Sequence, residues 1–292
     1  MTGPRPRRDT DHPGPIVMLG GAVSPAGAAL AAFTSLCGGR RGGHIVGITT
    51  ASSDPAGAAR QWRRDFLAAG CHNVDFPVVA TRGDAGNQRV ADAVESADGI
   101  FLGGGDQVKL VSVLAGTALE SALRAAHARG AVVCGTSAGS AALGQTTLAG
   151  NETDETGQLV EQYIGPGLGL VGHATVIDTH FSERRRLYRL FVALAEFPEL
   201  LGLGIDEDTA LVVRGDVADV VGVGGVTFVD GRGARYSNAG GRRDGAPLTL
   251  SGVRVGIAGA GYSLDLARRE LIVPPALLGG TGTAGGEIAR RD

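Results

Sequence analysis

Ala131-Val132-Val133-Cys134-Gly135-Thr136-Ser137-Ala138-Gly139-Ser140-Ala141-Ala142-Leu143 decides the fold. Its first four residues are an apolar, β-branched run that reads as a strand. Ser140 to Leu143 reads as the first turn of a helix. A strand turned sharply into a helix through G-x-S-x-G is a nucleophile elbow. Glycines flank the serine because the turn is strained and side chains there would strike neighbouring backbone. The turn lifts the Ser137 hydroxyl to the end of a sheet, where backbone N–H groups at the helix start can hold an oxyanion. A Gly/Ser-rich strand-to-helix loop without chemistry has the same composition, so the rest of the chain has to discriminate.

Upstream, strands and helices alternate. Pro15 to Leu19 reads as a first strand ending in Gly20-Gly21, followed by a helix with Ser24 as N-cap and Pro25 at its first position. His44 to Thr50 is a second strand, and Asp54-Pro55 opens a helix through Trp62, Phe66 and Leu67. Val74 to Val79 is a third strand candidate. A helix over Asn87 to Ala97 leads to a fourth strand, Gly99 to Leu102, then Gly103-Gly104-Gly105-Asp106-Gln107. Helices over Val108 to Ala115 and Ala118 to Arg129 return to the elbow. This alternation predicts an α/β fold with a mostly parallel, doubly wound sheet. In such sheets the site lies outside the carboxyl ends of the strands. The glycine-bearing ends at Gly20, Gly103 and Gly135 therefore face one edge.

Downstream the pattern changes. Asn151 to Gly172 is a polar, Gly-rich segment, followed by a strand over Ala174 to Asp178 and a long amphipathic helix over Ser182 to Phe197. Short β-segments follow at Thr209 to Val213, Val217 to Val223, Val226 to Val229 and Val253 to Ile257, with Asp230-Gly231 as a hairpin signal. The domain reading is a disordered lead-in over 1–14, one α/β domain over 15–278 and a flexible tail over 279–292.

The chain has 292 residues, 49 of them Gly, with 4% aromatics, so the core is expected to be Ala, Val, Leu and Ile. A net charge of −3 argues against nucleic acid or an anionic membrane as partner. The polar N-terminus lacks the apolar stretch of a secretory signal. Three scattered cysteines, Cys37, Cys71 and Cys134, fit free buried thiols and a cytoplasmic location. Cys134 reads as a small core residue rather than a nucleophile. Gly167-Leu168-Gly169-Leu170-Val171-Gly172 matches G-x-G-x-x-G but neither follows a predicted strand nor opens a helix, so it is not read as a dinucleotide site. No spacing of Cys or His marks a metal. His173 and His180 are a poor ligand pair, and no cofactor is expected.

A serine nucleophile needs a base, and the base needs an acid. His180, where a strand ends before a helix, is the best base. The acid comes either from the turn Asp206-Glu207-Asp208 or from Asp154 and Glu155. Arg184, Arg185, Arg186 and Arg189 follow His180. They read either as surface partners of Glu183 and Glu196 or as bidentate receptors for substrate carboxylates.

Four stretches together resemble the cyanophycinases and their relatives, the aspartyl-dipeptidase-type (S51-like) serine peptidases. These are Leu102-Gly103-Gly104-Gly105-Asp106-Gln107; Gly135-Thr136-Ser137-Ala138-Gly139; Asp178-Thr179-His180-Phe181-Ser182 with its arginines; and Gly204-Ile205-Asp206-Glu207-Asp208-Thr209-Ala210. The resemblance spans roughly Ile16 to Val229. It implies a class I glutamine-amidotransferase-like α/β fold and a homodimer. It implies Ser137 as nucleophile, His180 as base and Glu207 as acid, with Glu155 the alternative, and an oxyanion hole from the N–H groups of Gly105 and Ala138. Gln107, Asp178, Thr179, Arg184, Arg186 and Arg189 match pocket-lining positions. Thr179 stands where Gln is frequent, and Arg185 where a small residue such as Gly is usual.

The implied substrate is an aspartyl or β-aspartyl peptide. Cyanophycin is polyaspartate with arginine on each β-carboxyl, and cyanophycinases release β-aspartyl-arginine. The competing readings are a non-proteolytic acyl hydrolase or transferase on the same triad, and a catalytically silent aspartyl-peptide-binding protein.

Overall fold

A computed structural model describes residues 12–153, 159–241 and 246–275. At its centre lies a nine-stranded sheet. Five neighbouring strands are parallel, in the order Ile16–Leu19, Val132–Thr136, Gly99–Leu102, Ile45–Ile48, Val74–Asp75. The four strands beyond Ile16–Leu19 run antiparallel to their neighbours, beginning with Thr209–Arg214 and Val217–Gly222. The parallel strands are buried on both faces, so they read as continuous apolar runs. Along Ile16–Leu19, Val17 and Leu19 pack with Phe33, Phe66 and Phe101 on one face. Ile16 and Met18 pack with Leu110, Leu114 and Leu123 on the other. The fold is α/β, as the alternation predicts.

A second, six-stranded sheet holds Thr175–Thr179 parallel to Leu201–Ile205 at its middle. Here the structure departs from expectation. The segment read as polar and Gly-rich pairs instead as a hairpin, Thr146–Thr153 with Leu159–Pro166. The G-x-G-x-x-G stretch therefore does follow a strand. It opens no helix, because the N–H groups of Leu168, Gly169, Leu170 and Val171 bind carbonyls at the end of the elbow helix and just beyond it. The long helix contracts to Leu187–Glu196, because the chain turns through Phe181 to Arg186. Arg185 sits at φ +53°, a left-handed turn conformation that suits a small residue better than arginine. The first helix starts at Ala28 behind Gly27, not at Pro25, while Asp54 and Pro55 cap and open Pro55–Ala68 as expected. The strand at Val74 ends at Asp75. Asp230-Gly231 joins no two-residue hairpin, since Gly225–Asp230 pairs with Arg254–Gly259 across an intervening segment. The terminal segments 1–11 and 276–292, and the acid candidates Asp154 and Glu155, lie outside the described residues.

One ion cluster braces the strand that leads to the acidic turn. Asp230, 5% exposed, accepts from Arg269 at 2.7 Å, with Arg232 and Arg254 at 3.1 and 3.2 Å. Arg269 also donates to the carbonyls of Glu199 and Leu200, just before Leu201–Ile205. Burial alone would raise the Asp230 pKa, but the hydrogen bonds from Arg232 and Arg269 outweigh it and hold the carboxyl at about 2. A folded value below the ordinary 3.8 stabilises the protein at neutral pH, and that stability is lost as pH falls from about 4 through 2. Asp230→Asn should therefore cost about 3 kcal/mol at pH 7, because it strands a buried guanidinium. In urea unfolding, the gap from wild type should narrow below pH 4. A gap independent of pH would show that the charge of Asp230 is not what braces the strand.

Candidate active site

Three loops meet at the carboxyl end of Ile16–Leu19. The Ser137 N–H donates to the Leu19 carbonyl at 3.1 Å, the His180 N–H to Gly20 at 2.8 Å and the Asp208 N–H to Gly21 at 2.9 Å. Three successive carbonyls thus hold the elbow, the loop bearing His180 and the acidic turn. Ser137 adopts φ +51°, ψ −118°, the strained conformation of an elbow. Gly139 allows it, since a β-carbon there would lie 2.1 Å from the Leu102 carbonyl oxygen. The Ser140 hydroxyl, within 2.8 Å of the Leu19 carbonyl, fastens the helix start to the strand.

The side chains then line up. Ser137 Oγ lies 2.9 Å from His180 Nε2, and His180 Nδ1 lies 2.6 Å from Glu207 Oε1. An imidazole placed this way can take a hydroxyl proton while the carboxylate holds its other N–H. His180 is buried and Glu207 half-buried. His180 itself sits at φ +50°. Cys134 lies under the elbow with its thiol fully buried, and that burial pushes its pKa well above 9.0, as befits a core residue.

A cavity of about 540 Å³ opens beside Ser137. Gly105, Gln107, Ala138, Asp178, Thr179, Arg184, Arg186 and Arg189 all line it. The arginines are not equivalent. Asp178, 3% exposed, binds Arg186 at 3.0 Å and Arg189 at 3.1 Å, and Arg186 also donates to the Thr179 carbonyl. Burial lowers the Arg189 pKa from its usual value, opposed by Asp178. Arg184 is exposed and has no ion-pair partner among the described residues. Gln107 donates to the Leu148 carbonyl on the hairpin. No three His, Cys, Asp or Glu side chains among the described residues gather into a metal-ligating group.

Several site residues escape the sequence reading. Leu148, Ala149 and Tyr163 form the hairpin wall of the cavity. Gly21 is the floor under the imidazole, and its only signal is the Gly-Gly pair that ends the first strand.

The model of peptidase family S51 matches residues 16–221. The chain belongs to that family. It is a serine peptidase, and no helix among the described residues is long and apolar enough to cross a membrane. A cyanophycinase of Synechococcus elongatus is 33% identical over 273 residues, covering 90% of this chain and 84% of the relative. One of Geminocystis herdmanii (strain PCC 6308) is 35% identical, covering 77% and 83%. The fold is similar to a crystal structure of a peptidase from an acI-B1 actinobacterium, with a TM-score of 0.63 at 22% identity over 87% of this chain and 98% of that one. It is also similar to a putative peptidase E protein of Listeria monocytogenes EGD-e, with a TM-score of 0.53 at 17% identity over 72% and 99%.

Gly21 ties this geometry to reactivity. It adopts φ +98°, and a β-carbon there would lie 2.2 Å from His180 Cε1 and 2.4 Å from Nε2. Gly21→Ala should displace the imidazole and slow phosphonylation by a fluorophosphonate about 10²-fold while the protein stays folded. An unchanged rate in a folded variant would show that the ring does not depend on that floor.

Proposed function

We propose that the chain hydrolyses aspartyl or β-aspartyl peptide bonds, of the kind found in cyanophycin, through an acyl-enzyme on Ser137. The observation that carries this reading is the Ser137–His180–Glu207 line, at 2.9 and 2.6 Å, beside a cavity lined by Arg184, which has no ion-pair partner among the described residues. Ser137 Oγ attacks the scissile carbonyl and His180 Nε2 takes its proton. Glu207 fixes the tautomer and stabilises the imidazolium. The N–H groups of Gly105 and Ala138 hold the oxyanion. His180 then protonates the leaving amine, and water hydrolyses the ester.

The charge balance of the cavity supports an acidic substrate. Asp178 sets one negative charge against the two guanidinium groups it holds, so the pair of arginines keeps a net positive charge. Arg184, which pairs with no carboxylate among the described residues, is placed to meet a substrate carboxylate. Arg186 and Arg189 shape the floor and set its potential. The arginine of a cyanophycin-type substrate then sits outside this pocket, away from Arg184. The names of the curated relatives support the β-aspartyl branch. The same reading makes the protein a homodimer and places it in the cytoplasm, the latter in keeping with three free, buried thiols.

The pure enzyme, incubated with cyanophycin, β-aspartyl-arginine peptides and α-aspartyl dipeptides, should release aspartyl products detectable by mass. Ser137→Ala should lower turnover by about 10⁴- to 10⁶-fold without unfolding, and Glu207→Gln should lower kcat far more than it raises KM. Turnover of none of these substrates by a protein that still reacts with a fluorophosphonate would point to another acyl substrate. No reaction with either would point to a silent binding protein.

Arg184→Lys keeps the charge but loses the bidentate fork. It should weaken the preference for an aspartyl over an asparaginyl substrate by about 1–3 kcal/mol in kcat/KM. Equal use of both substrates by the wild type would remove Arg184 from recognition.

A further inference from the structure

The acidic turn begins with a second carboxylate, Asp206, that the proposed chemistry does not use. Its Oδ1 accepts from the Ser182 N–H at 3.0 Å and from the Ser182 hydroxyl at 2.6 Å, two residues beyond His180. Its Oδ2 accepts from the Gly225 N–H at 3.0 Å, and its own N–H donates to the Gly225 carbonyl at 3.1 Å. One half-buried side chain thus spans the base-bearing loop, the acid-bearing turn and the start of the strand Gly225–Asp230. Beside it, Glu183 from the base-bearing loop accepts the N–H of Glu207 at 3.2 Å, a second tie between the same two segments.

We propose that Asp206 is a positioning residue that locks these two loops in the register that sets the His180–Glu207 contact. The inference rests on the reading of Glu207 as the triad acid. His180 has φ +50°, and such a conformation persists only where the surroundings over-determine it. On the N-terminal side its N–H is held by Gly20, and on the C-terminal side the chain is held at Ser182 by Asp206. An ionised carboxylate can accept all three donors, and bonds to a charged acceptor are the short, strong kind. An amide cannot replace it. Its NH2 group would face N–H or O–H donors on one side or the other, and that tie would open.

The test compares Asp206→Asn, Ser182→Ala and Glu207→Gln in the full chain. One readout is inactivation by a fluorophosphonate, resolved into kinact and KI. The other is the proton NMR signal of the His180 Nδ1–H in ¹⁵N-histidine-labelled protein. Asp206→Asn should lower kinact about 10²-fold with KI unchanged, the size expected for a misplaced reacting group. Ser182→Ala, which removes one exposed hydroxyl donor, should lower kinact about tenfold, and it answers the question if Asp206→Asn fails to fold. In both variants the Nδ1–H signal should move upfield as the contact with Glu207 lengthens. A merely structural Asp206 would lower the melting temperature and leave kinact and the proton signal at wild-type values, and that result overturns the inference. If Glu207→Gln is impaired while Asp206→Asn and Ser182→Ala are not, the positioning role alone fails. If Glu207→Gln reacts like wild type, the triad reading fails and this inference fails with it.

Discussion

Three consecutive backbone carbonyls, those of Leu19, Gly20 and Gly21, carry the active-site architecture. Each accepts one N–H from a different loop, so the elbow, the loop bearing His180 and the acidic turn are registered against one rigid strand end. That strand is buried on both faces and paired on both sides, by Val132–Thr136 and Thr209–Arg214. A strand so held gives little, which is what a three-group line at hydrogen-bond distance needs. Backbone anchoring also leaves the side chains of Ser137, His180 and Glu207 to line up with one another. The strain at Ser137 and at His180 is sustained because each is tied at its own N–H and again a few residues on.

Electrostatics divide the cavity into a fixed part and an available part. Asp178 at the end of Thr175–Thr179 is buried and holds both Arg186 and Arg189, so those guanidinium groups are oriented before any substrate arrives. Breaking such a buried pair from one side is costly, because the other charge is left without a partner. Arg184 stands outside that network, on the turn that follows His180. Under the proposed reading, the charge held by Asp178 lies below, and Arg184, without an ion-pair partner among the described residues, lies above to meet an anion.

Much of this was legible in the sequence. The parallel strands are runs of consecutive buried apolar residues such as Ile16 to Leu19, and the glycine-flanked Ser137 marks its own turn. His180 and Glu207 stand at strand ends, which in a parallel sheet share an edge. What stayed hidden depends on contacts between distant residues. The hairpin Thr146–Thr153 with Leu159–Pro166 has too polar a sequence to be told from a loop. The helix after His180 reads too long, because the apolar spacing of Leu187, Leu190 and Leu194 extends naturally back over the arginines. Nothing local shows that Phe181 to Arg186 must turn to bring His180 to Gly21. The pairing of Arg186 and Arg189 with Asp178 runs from helix to strand, where nearby Glu183 and Glu196 looked the simpler partners. Asp206 reads as one of three solvated carboxylates until Ser182 and Gly225 arrive beside it.

The central claim is that this convergence makes Ser137 a nucleophile that carries the acyl group. Rapid-quench mass spectrometry during turnover of a β-aspartyl peptide tests it most directly. The account predicts an acyl adduct on the peptide containing Ser137 that forms before product and decays as product accumulates. Product formation with no covalent adduct at any time, or an adduct on Cys134 instead, would contradict it.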